Sequence, residues 1–174
     1  MKITTSNARF NGQEIGNSLY GLRYMSCEYK EVCSLIDALT DRISVSTEQL
    51  DAQNIGNALY GLRQMFSKHH AVQRLLSVLT TKISESNALL ESQHIGNALY
   101  GLQVMSSKHT QVQDLLCALS DKITSSAASL QAQHIGNSLY GLRSMSSDDL
   151  GVANVLSALS VKIAASTALL NEQE

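Results

Sequence analysis

The sequence predicts an all-α protein, a right-handed α-solenoid of four 40-residue helix-turn-helix repeats with the start of a fifth. Three observations carry that prediction. The string Ile-Gly-Asn begins at Ile15, Ile55, Ile95 and Ile135, a period of 40 residues. Apolar residues within each period recur at three- and four-residue spacing, the signature of amphipathic helix. None of the 174 residues is proline, so nothing in the chain forbids helix.

The duplication is extensive. Residues 46–85 and 86–125 agree at 22 of 40 positions, well beyond chance. The shared string in the second copy is Gln53-x-Ile55-Gly56-Asn57-x-Leu59-Tyr60-Gly61-Leu62-x-x-Met65, and Val72, Leu79 and Ile83 also recur in all four copies. Ser6, Ser46, Ser86, Ser126 and Ser166 fix the phase. The array then reads 6–45, 46–85, 86–125 and 126–165, within one repeat domain over 1–174. Residues 166–174 open a fifth copy or form a partial cap, as expected of a piece of a longer array.

Each copy divides into two helices. On a wheel of about 100° per residue, Ala52, Ile55, Ala58, Leu59 and Leu62 share one side of a first helix, with Met65 at its edge. Ser46 is a candidate N-cap for the turn that leads in. Ser67-Lys68-His69-His70 forms the connection. A second helix then carries Val72, Leu75, Leu76, Leu79 and Ile83 on one face. One such hairpin buries little alone, and stacking of neighbours makes a continuous core.

Glycine costs up to about 1 kcal/mol against alanine inside a helix. Gly56 and Gly61 fall at about 100° and 240° on the wheel, on the two flanks of the first helix. Those flanks face the neighbouring first helices, so the glycines are expected to permit close approach. They are not a phosphate loop, because no Lys-Ser/Thr follows and no strand precedes.

Opposite the core, identical residues form three ladders. The glutamines are Gln13, Gln53, Gln93 and Gln133. The asparagines are Asn17, Asn57, Asn97 and Asn137. The tyrosines are Tyr20, Tyr60, Tyr100 and Tyr140. Beside them run a column of Arg23, Arg63, Gln103 and Arg143 and a variable one of Tyr24, Gln64, Val104 and Ser144. The column Glu14, Asn54, His94 and His134 also varies. In the plainer reading the ladders bond between copies. In the functional one the Asn, Tyr, Arg-column and variable-column residues line an exposed concave surface that binds a long partner.

Composition narrows the partner. Thirteen Lys+Arg face 15 Asp+Glu, a net charge of -2, which argues against a polybasic nucleic-acid or membrane binder. No apolar run approaches a membrane span, and the start lacks a secretory signal. Cys27, Cys33 and Cys117 are odd in number and include no CxxC, so neither a disulfide framework nor a zinc site is expected. Free thiols in a chain without a signal suggest an intracellular, reducing compartment. His69, His70, His94, His109 and His134 fall at repeated positions, too far apart to share one metal. No asymmetric nucleophile-base constellation stands out. The chain is therefore expected to have no enzymatic activity, cofactor or small-molecule substrate.

The helix Gln53-x-Ile55-x-Asn57-x-Leu59-x-x-Leu62-x-x-Met65 resembles the helical-hairpin repeats of octotricopeptide-repeat and FAST-kinase-like organellar proteins. That resemblance implies a helical repeat fold and an association with RNA. The proline-tryptophan motif of octotricopeptide repeats is missing, and Tyr60 stands where those repeats often carry tryptophan.

The leading expectation is a scaffold that binds a protein or peptide through its first helices, since tyrosine is favoured at interfaces. The alternative is a reader of single-stranded RNA. There tyrosines would stack on bases and Arg23, Arg63 and Arg143 would meet phosphates, with Arg42, Lys82, Lys122 and Lys162 as a further cation column. A purely structural spacer is the third reading.

Overall fold

The computed structural model describes residues 9–167. Ser6 and most of the expected fifth copy, Leu170 and Gln173 included, lie outside them. The described residues form eight helices and no strand. Four are short: α1 (Gly12–Tyr20), α3 (Ala52–Tyr60), α5 (Ser92–Tyr100) and α7 (Ala132–Gly141). Four are longer: α2 (Lys30–Ser44), α4 (His70–Glu85), α6 (Thr110–Ser125) and α8 (Leu150–Ala164). Each 40-residue copy thus supplies one short and one long helix, and the architecture is all-α and repeat-like.

The helices pack in two layers. α1, α3, α5 and α7 stack in chain order, and α2, α4, α6 and α8 stack beside them. The apolar stripes of both layers meet in one core. Ile55, Leu59, Val72, Leu75, Leu76, Leu79 and Ile83 are all fully buried, as the wheel predicts. Among the described residues no buried side-chain nitrogen or oxygen lacks a hydrogen bond.

The short helices end earlier than the sequence pattern suggests. α3 stops at Tyr60, and Gly61 is its C-cap in ordinary right-handed geometry. Leu62 and Met65 follow in a turn, yet both are fully buried. Their periodic spacing survives because a turn continues the winding for a few residues, so the wheel cannot separate it from helix.

The serine column bonds in two directions. Ser46 Oγ accepts from the Glu48 N–H at 3.3 Å in the turn that leads in, while Asp51 caps α3 itself, accepting from the Asn54 N–H at 2.7 Å. Ser46 Oγ also donates to the Phe10 carbonyl, 36 residues back, at 2.7 Å. Ser86, Ser126 and Ser166 reach the carbonyls of Leu50, Leu90 and Leu130 in the same way. Ser46, Ser86 and Ser126 lie six positions before the first residue of the next short helix, too far upstream to cap that helix. The N-cap position recurs every 40 residues as Asn11, Asp51, Glu91 and Gln131, a different residue type in each copy. In α1 it is Asn11, in a reciprocal capping box with Glu14.

Gly61 decides the spacing of the short-helix layer. A Cβ there would lie 2.1 Å from the carbonyl oxygen of Leu19, and at Gly101 it would lie 2.0 Å from that of Leu59. Gly141 meets Leu99 equally closely. Gly56 and Gly96 face the opposite way, towards His94 and His134. The two glycines of each inner copy therefore touch the helices before and after, as their flank positions predict.

Gly21 tests this account, because it holds the same αR conformation with no such neighbour among the described residues. Gly101→Ala is expected to destabilise by about 1–3 kcal/mol, the usual cost of overpacking. Gly21→Ala is expected to be neutral or to stabilise by up to about 1 kcal/mol through the unfolded state. Urea unfolding of both variants measures the difference, and equal effects would exclude the backbone-contact account.

Candidate functional site

The short-helix layer brings the tyrosine column together. Tyr20, Tyr60, Tyr100 and Tyr140 stack with ring centroids 5.7, 5.7 and 5.6 Å apart and interplanar angles of 22°, 19° and 17°. Helices packed through ordinary side chains lie about 8–10 Å apart. The shorter ring spacing follows from the glycine contact one residue along. The two end rings are exposed and the two inner ones half-buried. The rings pack between copies, and all four keep part of their surface in solvent.

The arginine column lies on the tyrosine side. The Arg23 guanidinium stands 4.5 Å from the Tyr20 centroid, and that of Arg143 stands 4.0 Å from Tyr140. Arg63 donates from Nη1 to Tyr60 Oη at 2.5 Å and from Nε to the Arg23 carbonyl at 3.1 Å. Arg143 donates to Gln103 Oε1 at 2.8 Å, and Ser144 Oγ to the Gln103 carbonyl at 2.9 Å. Gln103 is buried by these contacts, unlike the arginines of its column. It is a strut between copies rather than a surface residue.

Tyr24 is the most exposed ring of this face, at 67%. The guanidiniums of Arg23 and Arg63 stand 4.8 and 4.5 Å from its centroid. Hydrogen bonding to Arg63, then Arg23, lowers its phenol pKa, and the two positive charges add to this. Gln64 and Ser144 are also exposed, and Val104 is half-buried. In the asparagine column Asn17 is exposed, while Asn57, Asn97 and Asn137 are half-buried. Asn57 accepts from Gln53 Nε2 at 2.9 Å, so two ladders are tied within one copy.

Two columns have roles that the sequence concealed. Lys82, Lys122 and Lys162 donate from Nζ to the carbonyls of Ser46, Ser86 and Ser126. These ammoniums are held between copies by the long helices. The column Asn54, His94, His134 varies, yet it packs on Gly16, Gly56 and Gly96. Variation there is packing variation, which no single-sequence signal separates from surface drift.

His134 is the most constrained of these. Its Nδ1 lies 2.8 Å from Ser92 Oγ, which also accepts from the Gln131 N–H at 2.9 Å. Burial lowers its pKa below 6.5, and the charge of His94 adds to this. Among the described residues no group of three His, Cys, Asp or Glu could hold a metal ion. Cys27 is buried, its thiol pKa pushed upward by that burial, and Cys33 donates to its carbonyl at 3.2 Å. No described helix is long and apolar enough to cross a membrane.

Comparison with protein-family models, with curated proteins and with solved structures returns no match.

A base whose pKa is lowered by folding binds fewer protons in the folded state. The stability it contributes is whole above its unfolded pKa of 6.5 and is lost as pH falls below that value. Wild type is therefore expected to lose more stability between pH 7.5 and pH 5 than His134→Asn, which installs the residue of position 54. Urea midpoints across that range measure it, and parallel pH profiles would remove His134 as the cause.

Proposed function

We propose that the helices form a right-handed α-solenoid of four 40-residue repeats, and that the chain is a non-catalytic scaffold. In this reading a protein or peptide partner lies along the surface lined by the short helices. One observation carries it: the continuous tyrosine ladder, edged by arginines, on a single face. Backbone contact draws the short helices together, while the long helices pack through side chains along most of their length. The short-helix layer is therefore the inner, concave side, where solenoids bind extended partners. Tyrosine supplies contact area at small entropy cost, and arginine adds directional donors.

The partner would run across the ring edges, since both faces of the inner rings, Tyr60 and Tyr100, are occupied by neighbouring rings. Specificity would come from Tyr24, Gln64, Val104 and Ser144, framed by the constant ladder. The RNA reading draws support from Arg23, Arg63 and Arg143, which share the tyrosine face. Base stacking is disfavoured by the same ladder, because a base entering between two rings must push neighbouring copies apart. The lysine column adds nothing to it, being tied to backbone carbonyls.

Selection from a displayed peptide library, repeated on a Tyr60→Ala/Tyr100→Ala variant, tests the proposal. Wild type is expected to enrich a common motif, and the variant to bind those peptides about tenfold or more weakly, as for loss of an interface anchor. Circular dichroism checks that the variant stays folded. Equal binding by both would refute the tyrosine face as the site. Salt-sensitive binding of a single-stranded RNA pool by wild type would favour the alternative.

A further inference from the structure

The face that carries the tyrosine ladder holds charge of one sign. Its five columns, which begin at Gln13, Asn17, Tyr20, Arg23 and Tyr24, contain three arginines and no aspartate or glutamate. The chain as a whole has a net charge of -2, so its acidic residues lie elsewhere. Several of them hold other cations: Glu28 pairs with Lys68, and Asp37 and Asp41 pair with Arg74. Among the described residues no ion pair involves Arg23, Arg63 or Arg143.

The positive charge is densest where the first copy meets the second. The guanidiniums of Arg23 and Arg63 share the Tyr24 ring, at 4.8 and 4.5 Å from its centroid. Like charges held so close repel, and a bound anion relieves that repulsion. Hydrogen bonding to Arg63, then Arg23, already lowers the Tyr24 phenol pKa, so the pair stabilises negative charge at that spot. Both outer contacts of the column are braced by neutral groups. Arg63 is fixed by Tyr60 Oη and the Arg23 carbonyl, which engage two of its five N–H donors. Arg143 is fixed by Gln103. Such bracing reduces the entropy lost when a guanidinium grips a ligand. Position 24 opens sideways from the stack: Gln64, its equivalent with copies on both sides, is exposed as well.

We propose that the partner of this face is an acidic peptide, whose first carboxylate bridges Arg23 and Arg63 beside Tyr24 and whose second meets Arg143. The inference rests on the reading of this face as a partner site and names the partner's chemistry. A carboxylate accepts two parallel bonds from the guanidinium fork. The ladder sets the spacing. Arg63 and Arg143 are separated by two ladder steps, of 5.7 and 5.6 Å. An extended chain rises about 3.3 Å per residue, so the two carboxylates fall roughly three or four residues apart. Gln103, buried between them, offers no charge to the intervening residues. A nucleic acid fits less well. Its phosphates recur at every nucleotide, whereas the column is interrupted in the third copy, and the inner rings have no free face for a base.

The displayed peptide library, followed by fluorescence anisotropy of one enriched peptide, tests this. The enriched motif is expected to hold two acidic residues three or four positions apart. Exchanging either acid for its amide is expected to weaken binding to wild type about tenfold, as for loss of a charged hydrogen-bonded pair. Arg63→Ala is expected to weaken it as much, and the amide exchange of the first acid then to cost little more. Arg74→Ala removes the same charge from the long-helix layer and is expected to change affinity by about twofold or less, because salt screens distant charges. Some peptides could depend on Tyr60 and Tyr100 yet show no acidic preference and ignore Arg63→Ala. That result overturns this inference and leaves the tyrosine face standing as a site. A library without an enriched motif overturns both, as does a wild type that binds single-stranded RNA and no acidic peptide.

Discussion

The backbone contact at Gly61, Gly101 and Gly141 governs the rest of the molecule. A carbonyl oxygen of one short helix occupies the place where the next helix would carry a side chain. No other residue allows that approach without moving one helix away from the other. Once the backbones touch, the adjoining residues have no freedom of register. Tyr60 must lie beside Tyr20 and Arg63 must reach the Arg23 carbonyl. The ladder is thus a consequence of the glycine contact rather than its cause. The glycine also costs less than a mid-helix one, because it caps the helix instead of interrupting it.

The long-helix layer is joined by a different chemistry. Its buried leucines and isoleucines supply most of the area removed from water. Serine hydroxyls and lysine ammoniums then reach back 36 residues to backbone carbonyls that no helix satisfies. Each such bond contributes only about 1 kcal/mol net, but leaving a buried carbonyl unpaired costs about 1–3. The rungs therefore select the register of stacking more than they add to its strength. Every one of them joins neighbouring copies, the pattern that makes repeat proteins one-dimensional in their energetics. The first copy differs, since Asp37 and Asp41 of α2 hold Arg74 in a forked ion pair.

The fold was legible because period and burial report the same physics. A 40-residue repeat and a 3.6-residue periodicity set the helices, their order and nearly all of the core. Gly56 and Gly61 were legible as contact points because their flank positions leave only neighbouring helices to touch. Of the two Ser46 bonds only the forward one, to the turn that leads in, was legible; the bond back to Phe10 belongs to the preceding copy. Lys82 was misleading for a similar reason. A column of cations looks like a surface until the carbonyl that holds it is known, and that carbonyl belongs to another copy. Leu62 and Met65 showed burial correctly and secondary structure incorrectly, because a buried turn after a helix keeps the helical spacing.

Identity between copies is a poor guide to exposure here. Among the positions that never vary, Leu59, Tyr60 and Gly61 touch the neighbouring copy and Ile55 lies in the core, while the Gln53 column is exposed in all four copies. Packing accounts for all of these but the glutamines. Variation is no better guide by itself, since Asn54, His94 and His134 vary inside the contact with glycine. What distinguishes Tyr24, Gln64 and Ser144 is variation combined with exposure, on the face that the ladder fixes. A reader of an extended partner needs a constant pitch and changing contacts, and those are different residues. The constant pitch comes from the glycines and tyrosines. In the proposed scaffold the changing contacts would come from the residue that follows the arginine column.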